Sequence, residues 1–295
     1  MTRVLVTGAT GRLGGAVLPV LVGAGLEVRA ASRRPHPGGA DAGAARPGAR
    51  AGNGAAAGEG RPAVAAEERL PAAQGRGPEW VVADLATGAG LAAAVAGADT
   101  VVHLASAPYK GRYTERVDVD GTRLLLEAAR GAGVGHVLHL SIIGVDRVPW
   151  GYFRAKLRAE REVRTAGLPW TILRAAQFHG LVDDALSAMA RLPVMAADRG
   201  VTTQPVDVAD VAERVLALLR AGPSRAVEEF AGPEVLAMDE AVRQWQRARG
   251  ARRPVLPVRL PGALGRAFRA GHLTTAARPA GTVTFADYLA RTPRR

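Results

Sequence analysis

An α/β fold with a parallel sheet covered on both faces is what the sequence predicts. Two observations carry that expectation. Short apolar runs alternate with longer helical stretches along most of the chain, which is how a parallel sheet covered on both faces reads. The first run, Arg3–Val6, leads straight into a glycine-spaced turn and a helix. Together these read as a Rossmann-type, doubly wound sheet.

The elements follow in order. Strands are expected at Val4–Thr7, Val28–Ala31, Trp80–Ala83, Thr100–Leu104, His136–Ser141, Thr171–Arg174 and Glu229–Ala231. Helices are expected between them at Leu13–Gly23, Leu91–Ala96, Val119–Ala129, Phe153–Thr165 and Val208–Leu219. The breaks Gly23-Ala24-Gly25 and Gly131-Ala132-Gly133 supply the left-handed residues that end helices. From Pro35 to Pro78 Gly, Ala, Pro and Arg dominate. Few large apolar side chains are there to offset the entropy of ordering, so 35–78 reads as a flexible insertion with a short helix near Ala65–Leu70. Residues 1–235 are read as one dinucleotide-binding domain, and 236–295 as a small C-terminal cap packed on it.

Composition narrows the classes. The 295 residues are 48% hydrophobic and 22% charged, the balance of a globular protein. No apolar run is long enough to span a bilayer, and the start of the chain carries no secretory pattern, so no membrane role and a cytoplasmic location are expected. With no cysteine there is no disulfide, thiolate ligand or cysteine nucleophile. The six histidines form no His-x-x-x-His pair, and no metal is expected. The net charge of +12 comes almost wholly from arginine, since only Lys110 and Lys156 are lysines, and a compositional bias explains it without function. It is nonetheless uneven: residues 243–295 hold twelve arginines against one acid, Asp287. Such a cap suits an acidic substrate. No motif or aromatic interleaving supports specific nucleic-acid binding.

Thr7-Gly8-Ala9-Thr10-Gly11-Arg12-Leu13-Gly14 is the strongest local motif. Its glycines permit a tight turn and close backbone approach to a pyrophosphate, which the N-terminus of the following helix attracts. Gly8, Thr10, Gly11, Arg12 and Leu13 are the expected phosphate-binding residues. The second strand ends in Ala31-Ser32-Arg33-Arg34 with no acid. Arginine forks suit a ribose 2′-phosphate, which favours NADP(H) over NAD(H) through Ser32, Arg33 and Arg34. The other reading makes them two more solvated arginines. Asp84 and Leu85 after the third strand, and Leu104, Ala105 and Ser106 after the fourth, are expected along the cofactor. His103 reads as a packed, hydrogen-bonded core histidine.

Tyr152 and Lys156 lie four residues apart on one helix face, with Ser141 closing the preceding strand. A phenol can protonate the oxygen of a carbonyl receiving hydride. A neighbouring ammonium is expected to lower the phenol pKa and to hold the nicotinamide ribose, while the serine donates to the substrate oxygen.

These motifs, with VVHLAS at Val101–Ser106, VDVDGTRLLLEAA at Val117–Ala129, LSIIGVD at Leu140–Asp146, LPWTILRAAQFHG at Leu168–Gly180 and QPVDVADVA at Gln204–Ala212, resemble the short-chain dehydrogenase/reductase superfamily, in its atypical NmrA-like branch. The resemblance covers most of 1–235 outside the insertion. It implies Ser141, Tyr152 and Lys156 as catalytic residues, and Gln177, Phe178 and His179, in a loop after the sixth strand, as substrate contacts. The Ser141–Tyr152 interval is one or two residues shorter than the common spacing. The leading expectation is an NAD(P)H-dependent oxidoreductase acting on a carbonyl, quinone or enone of a small molecule, as monomer or homodimer. A non-catalytic NADP(H)-binding sensor that docks a partner protein, and a nucleotide-sugar epimerase or dehydratase, are the alternatives.

Overall fold

The computed structural model describes residues 2–36, 77–107 and 111–293. Seven strands form the central sheet: β1 (Arg3–Thr7), β2 (Glu27–Ser32), β3 (Glu79–Val82), β4 (Thr100–His103), β5 (His136–Ile142), β6 (Trp170–Ala175) and β9 (Val227–Phe230). Their order is β3-β2-β1-β4-β5-β6-β9, and every pairing is parallel. The chain therefore winds outward from β1 in both directions, and the switch point lies between β1 and β4, where such sheets bind ligands beyond the strand C-termini. All seven expected strands are present, each within a residue or two of its expected bounds. The short helix expected near Ala65–Leu70 lies outside the described residues, as does most of the expected insertion.

The helices cover both faces. On one side α1 (Arg12–Gly23) and α7 (Val208–Ala221) pack together and onto Val4, Val6, Val102, Leu138 and Leu173. Leu13, Val17, Leu18 and Leu21 make the buried stripe of α1 at helical spacing. On the other side α2 (Leu91–Val95), α4 (Gly121–Gly131) and α5 (Gly151–Thr165) cover Leu5, Val101, Val137 and Ile172. A short turn, α3 (Arg112–Thr114), runs through a π-helical segment, Glu115–Asp120, into α4. The buried stripe of α5 is unusual, since Phe153, Ala159 and Val163 share it with Lys156 and Glu160.

The remaining elements are α6 (His179–Met189), β7 (Met195–Ala197), β8 (Thr202–Thr203), β10 (Leu236–Ala237), α8 (Met238–Arg249), β11 (Val255–Pro257), α9 (Gly262–Arg269) and α10 (Phe285–Arg291). Strand β7 pairs with β11, and β8 with β10. Leu186 from α6 shares one apolar cluster with Met195, Val242, Trp245, Phe285 and Leu289. The cap thus gathers residues from both sides of β9. Asp183 of α6 ties it together, accepting from Trp245 Nε1 at 2.7 Å and from Arg249 Nη2 at 2.6 Å. Among the described residues no helix is long and apolar enough to cross a membrane.

Candidate functional site

A cavity of about 720 Å³ opens above the C-termini of β1, β2, β4, β5 and β6. Its floor is the loop after β1. Gly8 has a φ of +72°, and a Cβ there would stand 2.6 Å from the Ala105 amide nitrogen. A Cβ on Gly14 would stand 2.4 Å from the Gly8 carbonyl oxygen. The two glycines let the loop lie flat between β4 and α1. Gly11 begins α1 with no side-chain cap, so the first N–H groups of the helix point out of the loop without a side-chain partner. Arg12 pairs with Asp184 of α6, which joins the loop to the cap.

Of the expected cofactor residues, Gly8, Thr10, Gly11, Arg12, Leu13, Ser32, Arg33, Asp84, Leu85, Leu104, Ala105, Ser106 and Lys156 line this cavity, and Arg34 does not. Ser32 Oγ donates to the Arg34 carbonyl at 2.5 Å, turning the chain after β2 so that the Arg33 side chain reaches Tyr113 Oη at 2.8 Å. Asp84 accepts from the Ala86 amide at 2.9 Å.

The catalytic candidates also reach the cavity, in an arrangement that differs from the expected one. Tyr152 Oη lies 2.9 Å from Ser106 Oγ, the serine after β4. Ser141 Oγ is buried without a hydrogen-bond partner. Burial pushes the Tyr152 phenol above its ordinary pKa, and the Asp118 carboxylate adds to the rise while the Ser106 hydrogen bond opposes it. The expected lowering by the lysine is not found. Burial instead lowers the Lys156 ammonium, against the pull of Asp118 and Glu160.

Behind these groups lies a buried polar layer. Thr122 Oγ1 donates to the Asp118 carbonyl at 2.6 Å, so it accepts from His103 Nε2 at 2.9 Å, and His103 Nδ1 accepts from Thr7 Oγ1 at 2.7 Å. Burial, with Lys156 beside it, pushes His103 down to about 3. His103 is thus a neutral core histidine, as its apolar surroundings in the sequence suggest. Arg174 forks onto Glu160 at 2.9 and 2.8 Å and reaches Asp146 at 2.9 Å. Neither Asp118 nor Glu160 was singled out from the sequence. Glu160 carried a signal, because it stands four residues after Lys156 on the apolar stripe of α5.

At the substrate end, Gln177 and Phe178 line the cavity, while His179 does not. The expected loop is only three residues long, and α6 begins at His179. The His179 ring turns into the cap, where it stacks on Phe285 and Tyr288 and Nε2 lies 3.1 Å from the Val283 carbonyl oxygen. Ile142, Trp150, Leu181, Phe268 and Leu273 complete an apolar chamber. No arginine from 243–293 lines it. Several are paired with acids instead, as Arg249 with Asp183 of α6, Arg269 with Asp198 after β7 and Arg291 with Asp207 at the start of α7. Among the described residues no cluster of His, Asp or Glu could hold a metal ion.

A sequence model described as NAD(P)H-binding matches residues 48–221, more than half of the chain. The chain belongs to the NAD(P)H-binding family. A nucleoside-diphosphate-sugar epimerase of Staphylococcus aureus superposes with a TM-score of 0.70 at 16% identity, over 99% of this chain and 100% of that one. An NADPH-dependent quinone oxidoreductase of Escherichia coli, in complex with NADPH, superposes at 0.69 and 19% identity, over 97% and 98%. Identities this low speak for the fold alone. In sequence, the photosystem II assembly factor Ycf39 of Trieres chinensis is 28% identical over 111 residues, 36% of this chain. The match spans about a third, 34%, of that protein's length. The expected resemblance to atypical short-chain dehydrogenases/reductases and the Rossmann-type sheet are both borne out.

The geometry fits the family's dinucleotide. The glycine loop, held against the end of β4 by an approach that a Cβ on Gly8 would block, and the uncapped start of α1 together form a cradle for the pyrophosphate. Bound there, NAD(P)H would be able to supply a hydride.

Proposed function

We infer that this protein is an NAD(P)H-dependent reductase of an uncharged carbonyl, quinone or conjugated enone, with NADP(H) the preferred cofactor. The observation that carries the reading is the make-up of the cavity. Its charged lining residues are Arg12, Arg33, Asp84 and Lys156, all among the expected cofactor residues, and the chamber beyond Tyr152 is lined by Ile142, Trp150, Phe178, Leu181, Phe268 and Leu273. Such a chamber takes a flat apolar acceptor. A nucleotide sugar would bring a diphosphate that the cap arginines do not meet, which favours reduction over epimerisation.

In this reading Gly8, Thr10, Gly11, Arg12 and Leu13 hold the pyrophosphate, and Ser32 and Arg33 the ribose 2′-phosphate. Asp84, Leu85, Leu104 and Ala105 border the adenosine and the passage towards the nicotinamide, whose ribose Lys156 holds. Tyr152 protonates the substrate oxygen, and its raised pKa keeps the proton in place until negative charge develops there. Ser141 and Gln177 face the acceptor.

Calorimetric titration with NADPH and NADH tests the cofactor half. Binding of NADPH at micromolar affinity with NADH much weaker is expected, and binding of neither overturns it. Turnover of NADPH over a panel holding a quinone, an enone, a ketone and a UDP-sugar tests the rest, with Tyr152→Phe as control. Activity on the UDP-sugar alone would transfer the chain to the epimerase class.

A further inference from the structure

Strand β11 carries an apolar face that the fold does not bury. Val255, Leu256 and Pro257 pair with Met195, Ala196 and Ala197 of β7. Met195 and Ala197 belong to the cap core, so Ala196 and its neighbour Leu256 point outwards. Val258, two residues on, is exposed as well, and so are Leu260 and Leu264; with Leu256 these side chains are 36–49% accessible. The segment is pinned in this position. Val258 N donates to the Ala197 carbonyl at 3.0 Å. Asp198 Oδ2 accepts from the Leu260 amide at 2.9 Å and from Arg269 Nη1 at 2.6 Å, and that Nη1 also donates to the Leu260 carbonyl at 3.0 Å. Single apolar residues at a surface need no explanation, but these lie together on one fixed segment and form a patch.

The charge around the strip has one sign. No Asp or Glu occurs between Glu240 and Asp287. Arg252, Arg259 and Arg266 are exposed, and among the described residues their side chains have no partner. A second copy of the chain would bring the same unpaired arginines against them. A strand added to the open edge of β11 would meet Pro254, Pro257 and Pro261, which lack the N–H groups a ladder needs. An apolar strip flanked by unpaired cations fits instead a surface that is apolar within and anionic at its boundary. The chamber points the same way. Leu264 lies one turn before Phe268 on α9, Phe268 lines the chamber, and Trp150 and Leu181, also chamber residues, are exposed.

We propose that this face of the cap docks on an anionic lipid bilayer, with Leu256, Val258, Leu260 and Leu264 sinking into the acyl boundary and Arg252, Arg259 and Arg266 meeting the headgroup phosphates. The contact is peripheral and needs no spanning helix. It goes beyond the reductase reading and does not depend on it. Where both hold, the chamber wall stands at the lipid, where an apolar acceptor concentrates.

Vesicle sedimentation tests the docking with neither dinucleotide nor acceptor present. The full chain is expected to pellet with vesicles of phosphatidylcholine and phosphatidylglycerol, two to one, and to stay in solution with phosphatidylcholine alone. Leu256→Ser with Leu260→Ser is expected to weaken binding roughly tenfold or more, since both apolar anchors are lost. Val82→Ser, at an equally exposed position on β3, is expected to change nothing. Arg259→Gln is expected to weaken binding about fivefold, the share of one cation at a charged surface, and Arg130→Gln on α4 to weaken it little. A chain of net charge +12 is drawn to any anionic surface, so a second readout isolates insertion. Leu260→Trp is expected to add fluorescence that lipids brominated in their acyl chains quench. Equal losses in the strip variants and their controls, or binding without quenching, reduce the contact to general charge attraction and overturn the proposal. No binding to the mixed vesicles overturns it too, and dimers lost in the double serine variant would then assign the strip to a second copy. Docking without any NADPH turnover would remove the reductase reading alone.

Discussion

Gly8 and Ala105 approach so closely that a single methyl group on Gly8 would stand 2.6 Å from the Ala105 amide nitrogen. The contact joins the loop after β1 to the end of β4 at the point where the sheet reverses its winding. Both partners are backbone, so neither can rotate away.

Gly8→Ala is therefore expected to cost about 2 kcal/mol or more of stability, through left-handed strain and the clash together, and to abolish dinucleotide binding. Gly15, in the same loop-to-helix segment, has no atom within 4 Å of where a Cβ would stand. Gly15→Ala is expected to leave binding intact and to add about 0.5–1 kcal/mol by helix propensity. Urea melts with NADPH calorimetry compare the two. Equal behaviour of the variants would mean the close approach is not what shapes the cradle.

Arg33 carries the cofactor preference if the 2′-phosphate reading is right. It is exposed, lines the cavity and rests on Tyr113 Oη. A charge-assisted hydrogen bond contributes about 1.5–3 kcal/mol, so Arg33→Ser is expected to weaken NADPH roughly ten- to a hundredfold. NADH binding should change little. Arg34, which lies off the cavity, serves as the matched control. If Arg34→Ser weakens NADPH as much as Arg33→Ser does, the effect is one of general charge.

The strands and the glycine loop were legible because their signals are local: an apolar run, a glycine at a fixed offset, a helix directly after it. The site was legible only in part. Ser106 and Tyr152 are separated by 46 residues and meet because β4 and the start of α5 end at the same edge of the sheet, a relationship no spacing encodes. Ser141 drew attention by its nearness in sequence, whereas the fold leaves its hydroxyl without a partner. His179 likewise followed two residues that do line the cavity, but the first turn of α6 swings it into the cap. A cap after residue 236 was expected, but the part contributed before β9 was hidden, because strands of two or three residues carry no period and Leu186 and Met195 join its core from the other side of β9.

The Arg174–Glu160 pair is expected to matter far more to stability than any exposed pair. Its side chains are 8% and 0% exposed, and the fork is bidentate. Glu160→Gln would leave the buried Arg174 guanidinium with only Asp146, itself 43% exposed, as a charge partner, and is expected to cost about 3 kcal/mol in urea unfolding. Arg3 and Glu27, at 41% and 45% exposure, make the comparison: Glu27→Gln should cost under about 1 kcal/mol. Similar costs for the two would show that solvent reaches Glu160 in solution.

Acid should weaken the fold well before the carboxylates titrate. Burial lowers the pKa values of His103, His136, His139 and His179, with His103 near 3. In the unfolded chain these rings gain protons near pH 6.5, whereas in the folded protein they remain neutral to lower pH. Between those limits the unfolded state binds more protons, so stability falls as pH falls, by up to about 1.4 kcal/mol per pH unit for each histidine. Above pH 7 all four are neutral in both states and their contribution is flat. Urea midpoints at pH 8.0, 7.0, 6.0 and 5.0 should therefore agree at the first two values and drop progressively at the last two. Thr7→Val with Thr122→Val would strip His103 of both hydroxyl partners. That double variant is expected to lower the midpoint at every pH while keeping the acid slope, because burial rather than the hydroxyls sets the low pKa. A midpoint constant from pH 8.0 to 5.0 in the wild-type protein would mean that the polar layer under Tyr152 admits protons, and that its histidines are not sealed in the core.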